Sequence, residues 1–76
     1  MSSSMILDSV PPQEEHLEAL VQRRLAGRVR DFRIRVRHDG VVLEGRAPTY
    51  HAKQIAQHAV MELVGMTIVA NEIEVR

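Results

Sequence analysis

The sequence predicts an α/β (α+β) two-layer sandwich, in which two helices pack on one face of a three-stranded mixed sheet in the order αββαβ. Three observations lead to this fold class. Apolar and basic residues alternate over 32–37, a turn at Asp39-Gly40 sends a second strand back, and apolar residues recur at helical spacing on both sides of the hairpin. We predict one domain over residues 11–76, preceded by a flexible N-terminal arm over 1–10.

The first helix is predicted over about 12–26, because Pro11-Pro12 suits a helix start. Glu14 and Glu15 follow in the first turn, where the helix dipole favours negative charge. Gly27 suits the residue just after the helix. The predicted buried stripe consists of Leu17, Leu20, Val21 and Leu25.

Two antiparallel strands are predicted over 32–38 and 41–46, joined by a two-residue Asp39-Gly40 loop. This loop pairs His38 with Val41, Val36 with Leu43 and Arg35 with Glu44. One face of the hairpin is then apolar, with Phe32, Ile34, Val36, Val41 and Leu43. The other face carries Arg33, Arg35, Arg37, Val42, Glu44 and Arg46.

The second helix is predicted over about 50–64, with Thr49 as its N-cap and Gly65 as its stop. A third strand follows over about 67–75. We expect it to lie parallel to a central second strand. Its inward residues are predicted to be Val69, Ile73 and Val75, and its outward residues Glu72 and Glu74, with Ile68 on the outward side as well.

These segments resemble the BON domain, the bacterial osmotic-shock and nodulation domain, in a single copy. The resemblance covers about residues 16–75 and rests on Asp39 to Gly45, which reads Asp-Gly-Val-Val-Leu-Glu-Gly, and on Gly65 to Val75. It implies a stress-response binding module for phospholipid or envelope surfaces. The motif residues read as structural: Asp39, Gly40, Gly45, Gly65 and Asn71, the last predicted to hydrogen-bond a backbone group.

Four arginines form the first candidate surface. On the bare sheet face, Arg33, Arg35, Arg37 and Arg46 could meet anionic phospholipid headgroups or another partner. The alternative is that charged side chains on an outer strand only discourage aggregation. Arg23, Arg24, Arg28 and Arg30 could extend the basic surface, or could simply be solvated at the end of the first helix.

The second candidate surface is a dimer face. Arginines at one edge of the sheet and glutamates at the other would complement each other about a two-fold axis. This reading makes the protein a cytoplasmic homo-oligomerising interaction domain without lipid binding. Its residues are Val42, Glu44, Ala70, Glu72 and Glu74.

The sequence lacks the residues that metal sites, enzymes and nucleic-acid-binding domains require. No cysteine is present, and the four histidines lack chelating spacing, so the sequence predicts no metal and no cofactor. Neither a nucleophile with a base nor paired carboxylates in a pocket are evident, which argues against an enzyme. With two aromatics, nucleic acid is a poor partner. The absence of a signal peptide and of a transmembrane segment predicts a cytoplasmic protein, compatible with peripheral membrane association.

Overall fold

A computed structural model describes residues 13–76 and confirms the predicted fold class and element order. The predicted arm over 1–10 lies outside the described residues. Strand β2 is central: it pairs antiparallel with β1 on one side and parallel with β3 and β4 on the other. The elements are α1 (Gln13–Leu25), β1 (Arg30–Arg37), β2 (Gly40–Ala47), α2 (Tyr50–Leu63), β3 (Ile68–Asn71) and β4 (Glu74–Val75).

The register of the β1–β2 hairpin differs from the predicted one by two residues. Val36 lies opposite Val41 and Arg37 opposite Gly40, so the connecting residues are His38 and Asp39 rather than Asp39 and Gly40. Because side chains alternate with period two, an even shift leaves both faces as predicted. The predicted pairs were therefore wrong, whereas the apolar and charged faces are correct.

Gly40 has a close contact that suits its place in β2 rather than in the loop. Its φ is +149°, and a Cβ there would overlap the carbonyl oxygen of Thr67 and lie 2.9 Å from Val69 Cγ2. The same carbonyl accepts a hydrogen bond of 2.8 Å from Val41 N. Gly40 thus serves as the first residue of β2, where the backbone leading into β3 comes too close for any side chain.

The predicted third strand is divided into β3 and β4, so the sheet has four strands and not three. Both keep nearly one register along β2: Ala70 lies beside Val42, and Glu74 beside Arg46. Asn71 accounts for the interruption, because its Oδ1 accepts a hydrogen bond of 3.2 Å from Ile73 N. Its Nδ2 donates to Gln57 Oε1 on α2 at 3.2 Å, which ties the interruption to the helix layer.

A β-bulge bends the start of β1. Arg30 lies opposite Arg46 and Arg33 opposite Glu44, so β1 has one extra residue between these pairs. Asp31 takes up the distortion with φ of +53°. Gly45 faces this bend, and a Cβ there would lie 2.9 Å from Val29 Cγ1.

The core lies between the sheet and the two helices, and it contains no polar or charged residue among those described. Three predicted members of the apolar stripes are exposed instead: Leu20 is 39% exposed, Val69 47% and Val75 43%. Ile68, predicted outward, packs against the core, because the irregularity after it in β3 changes the alternation. The largest fully buried side chains are Phe32, Leu25, Ile34, Leu43, Ile73, Val21, Val41 and Val60.

The ends of α2 are built as predicted. Thr49 is the N-cap, and its Oγ1 accepts a hydrogen bond of 3.0 Å from Ala52 N. At the other end, Val64 N donates to Val60 O, and Gly65 follows with φ of +72°. The helix is therefore held over the sheet with both termini hydrogen-bonded.

Candidate binding surface

The sheet has one face free of helices, which we call the outer face. Side chains that alternate with the buried ones project there from all four strands and from the interruption between β3 and β4. The structure thereby brings both candidate surfaces of the sequence together on one side of the molecule. The outer face carries Arg33, Arg35, Arg37, Val42, Glu44, Arg46, Ala70, Glu72 and Glu74.

Three of these side chains, Arg33, Arg35 and Arg37, follow β1, and we call them the arginine stripe. Arg33 Nε lies 3.5 Å from Glu18 Oε2 of α1, and Arg35 Nε lies 3.1 Å from Glu44 Oε1 of β2. Arg37 has no ion-pair partner within residues 13–76. The stripe is exposed, and its three guanidinium groups differ in how far neighbouring carboxylates neutralise them.

The predicted contact between Arg35 and Glu44 is present, but as a diagonal pair. Val42 lies directly opposite Arg35, and Glu44 lies opposite Arg33. The hydrogen bond from Arg35 to Glu44 and the charge of that carboxylate raise the pKa of Arg35 above its ordinary value. The carboxylate of Glu44 therefore favours the charged form of Arg35.

The apolar centre of the outer face is already covered within one molecule. Val42 lies between Arg35 and Ala70 in the register and is only 6% exposed. Ala70 is half-buried. A partner on this face would therefore meet mainly charged and polar groups.

Acidic residues dominate the opposite side of the outer face. A shallow depression of about 350 Å³ contains Glu44, Glu72 and Glu74, together with the strained Asp31. Arg33 and Arg46 reach it from β1 and β2. The outer face is thus partly charge-segregated, with the arginine stripe along β1, Glu72 between β3 and β4, and Glu74 in β4.

Two carboxylates of α1 have a role that the sequence analysis missed. Glu14 Oε2 accepts a hydrogen bond of 2.8 Å from Val36 N, and Glu18 Oε2 accepts one of 2.9 Å from Ile34 N. Helix residues four apart lie on one face, as do alternate N–H groups along a strand edge. Helix α1 therefore seals the outer edge of β1. The four-residue spacing of Glu14 and Glu18 was the available signal, but it does not identify the strand that they contact.

The arginines around the end of α1 have different surroundings. Arg24 Nη1 pairs with Glu62 Oε1 of α2 at 2.7 Å, on the helix side of the molecule. Arg28 Nη1 donates to Leu25 O at 3.5 Å, where a cation complements the helix C-terminus. Arg30 projects at the end of the sheet, opposite Arg46.

The remaining titratable side chains of the described residues lie at the surface. In residues 13–76, no three acidic, histidine or cysteine side chains come together as metal ligands. His51 and His58 share an open depression of about 320 Å³ with Arg24 and Glu62. Every buried side-chain nitrogen or oxygen in this part of the chain has a hydrogen-bond partner.

A comparison with protein-family models matches residues 13–76 to the BON domain. The match spans all the residues that the structure describes. Neither the curated proteins nor the solved structures give a significant match to the chain. Over the same residues, neither helix combines the length and hydrophobicity needed to cross a membrane.

Proposed function

Because the chain belongs to the BON domain family, we propose that it is a non-catalytic binding module that attaches to anionic phospholipid or envelope-associated surfaces. The attachment uses the arginine stripe together with Arg46. The observation that carries this proposal is the row of guanidinium groups on a sheet face that no helix covers. Arg37 and Arg46 in this row have no carboxylate partner among the described residues.

The geometry suits a planar array of phosphates. Residues two apart on a strand lie about 6.6 Å apart, so the stripe can contact neighbouring headgroups at the same time. A guanidinium group presents a planar fork of donors that matches phosphate oxygens. Each basic residue near an anionic membrane contributes about 1 kcal/mol, so several together give reversible, salt-sensitive attachment.

Flotation with vesicles tests this function. We expect the protein to float with vesicles of phosphatidylglycerol and phosphatidylcholine at low salt, less at physiological salt, and not with phosphatidylcholine alone. Arg33→Ala/Arg35→Ala/Arg37→Ala should abolish flotation. A matched control, Arg23→Ala/Arg24→Ala/Lys53→Ala, removes three positive charges from the helices and should float like the unmodified protein. Equal loss in both variants would reduce the effect to net charge, and no flotation at low salt would refute lipid attachment.

Charge segregation favours one alternative function, a homo-oligomerising interaction domain. A two-fold axis over the outer face would place the arginine stripe of one copy against Glu72 and Glu74 of the other. Because Val42 is already buried, such an interface would consist largely of ion pairs and would also weaken with salt. Salt dependence alone therefore does not separate the two functions.

Charge reversal on the acidic side separates them. Glu72→Lys/Glu74→Lys should abolish self-association, measured by sedimentation, because it places like charges across the interface. The same change should strengthen flotation with anionic vesicles, because it adds positive charge to the outer face. Opposite responses in the two assays identify the function that the face serves.

A further inference from the structure

A second group of arginines converges at the end of the sheet farthest from the turn that joins β1 to β2. Here the loop after α1, the start of β1 and the end of β2 surround a depression of about 420 Å³. The exposed Pro48 gives it an apolar part, and no acidic side chain lines it. We call this group the arginine cluster: Arg28, Arg30, Arg46 and Arg76.

The positive charge of the arginine cluster is largely unbalanced. Arg76 Nε pairs with Glu74 Oε1 at 3.2 Å. Arg28, Arg30 and Arg46 have no carboxylate within ion-pair distance among residues 13–76. Three guanidinium groups therefore line one depression without a direct ion pair, although Arg46 also lies beside Glu74 on the neighbouring strand.

The pairing of Arg30 with Arg46 makes this arrangement unfavourable in the domain alone. They are direct cross-strand partners, and like charges in such positions destabilise a sheet. The same two strands place Arg33 opposite Glu44 only a few residues away. The hairpin thus brings opposite charges together at one point and like charges at the end where the depression lies.

Backbone strain is concentrated around the same segment. Within the described part of the chain, Ala26 and Asp31 are the only non-glycine residues with positive φ, each at +53°. They bracket Arg28 and Arg30. For an L-residue this conformation costs about 1–2 kcal/mol, and conformations of this kind cluster at ligand sites. The strain supports a functional reason for holding these two arginines in place.

We infer that the arginine cluster binds a phosphate group, carried either by a soluble phosphate ester or by a phospholipid headgroup. The phosphate supplies the missing negative charge, accepts hydrogen bonds from the guanidinium forks and relieves the repulsion between Arg30 and Arg46. The apolar part formed by Pro48 accommodates the carbon adjoining the ester oxygen. This site does not include the arginine stripe, and Arg46 is the one residue that it shares with the proposed attachment surface.

Titration of the ¹⁵N-labelled protein tests the site, with inorganic phosphate as the probe and sodium chloride at equal ionic strength as the reference. We expect saturable shifts in the guanidinium Nε–H signals of Arg28, Arg30 and Arg46 with phosphate and not with chloride. Arg28→Gln/Arg30→Gln should weaken phosphate binding by about 10-fold or more, because it removes two charge-assisted contacts. Arg23→Gln/Lys53→Gln, which removes the same charge elsewhere, should leave the affinity unchanged.

Thermal unfolding provides a second readout. Phosphate at about ten times its Kd should raise the melting temperature of the unmodified protein by about 5 °C or more. Phosphate also stabilises proteins generally, so the comparison with Arg28→Gln/Arg30→Gln is decisive. In that variant the specific increase should disappear, whereas its melting temperature without phosphate should not fall, because the like-charge contact is relieved.

Two further arms identify the source of the phosphate. Glycerol 3-phosphate represents a soluble ester, and vesicles containing phosphatidic acid represent a headgroup. Weaker binding to these vesicles in Arg28→Gln/Arg30→Gln than in Arg23→Gln/Lys53→Gln, which has the same net charge, assigns the site to headgroups. Saturable binding of glycerol 3-phosphate without an effect of the double variant on vesicles assigns it to soluble esters.

Equal shifts with phosphate and chloride, or an unchanged phosphate affinity in Arg28→Gln/Arg30→Gln, would overturn the site. Failure of the proposed membrane attachment gives a different experimental result. In that case the protein does not float with any vesicle, while the phosphate titration still saturates at the arginine cluster. The two failures are therefore distinguishable with the same set of proteins.

Discussion

On one edge of the sheet, β1 gives its outward N–H groups at Ile34 and Val36 to carboxylates of α1. On the other edge, β3 and β4 have no neighbouring strand among the described residues. Val69 and Val75 are exposed along this second edge. The two edges face the same hazard, since an unpaired strand edge can pair with another chain.

The difference shows two ways of finishing a sheet within one small domain. A long, regular strand such as β1 offers a continuous row of donors, and side chains from a helix occupy them. Strands β3 and β4 have four and two residues, with an irregularity in β3 and the Asn71 turn between them. A short and broken strand is a poor template for pairing, so this edge needs no cover.

The largest effect is expected where the open edge is anchored to the core. Ile73 lies in the interruption between β3 and β4 and is 1% exposed. Ile73→Ala should lower the free energy of unfolding by about 3 kcal/mol, because it removes a fully buried side chain. Urea denaturation measures this loss. The control Val75→Ala, at a 43% exposed position on the same edge, should cost less than about 1 kcal/mol. Similar losses would mean that the edge is not held by one anchor.

The next effect is at the junction of β2 with the backbone that leads into β3. Gly40→Ala should destabilise the protein by about 2–3 kcal/mol, because the added Cβ overlaps the carbonyl of Thr67 at a positive φ. Gly27→Ala is the matched control, since φ there is +83° with no atom within 4 Å of the added Cβ. It should cost only the conformational part, about 1 kcal/mol. Equal costs would exclude the close approach as the reason for Gly40.

The sealed edge is tested by removing its carboxylates. Glu14→Ala/Glu18→Ala should cost about 1–2 kcal/mol, because two strand N–H groups lose their acceptors and only water can replace them. Hydrogen exchange should become faster at Ile34 and Val36. Glu14→Gln/Glu18→Gln keeps an acceptor oxygen and should retain most of the protection, whereas Glu15→Ala should have no effect. Unchanged exchange in the double alanine variant would contradict the sealing.

The smallest change in stability is expected at the open edge itself. Val69→Lys should alter the free energy of unfolding by less than about 0.5 kcal/mol, because Val69 is 47% exposed. The added charge should nevertheless reduce aggregation on heating, measured by light scattering, because it discourages edge-to-edge pairing. Leu20→Lys places the same charge on α1, away from either edge. An equal reduction in both variants would attribute the effect to net charge.

Local chemistry made several features predictable. Thr49 caps α2 because its hydroxyl oxygen lies within reach of Ala52 N, three residues along the chain. Asn71 makes the backbone contact expected of it with Ile73, two residues on. The role of Glu14 and Glu18 was not predictable in the same way. Their partners on β1 lie 22 and 16 residues further along the chain, and nothing local identifies them.

The two groups of arginines also differ in whether the local sequence predicts them. The arginine stripe was predictable, because alternate residues of one strand must share a face. The arginine cluster was not, because Arg28, Arg30, Arg46 and Arg76 come from three separate parts of the chain. Their convergence depends on the bulge at Asp31 and on the pairing of Arg76 N with Ala47 O.

The sequence by itself determined the fold class, the order of the elements and which residues face the core in the hairpin. These properties depend on the spacing of apolar residues along the chain, every two residues in a strand and about every 3.6 residues in a helix. Tertiary structure alone decided the register of β1 and β2, because a shift of two residues preserves the alternating pattern and periodicity cannot select one pairing. It also decided how each edge is finished and where the arginines converge, since both require contacts between residues far apart in the chain.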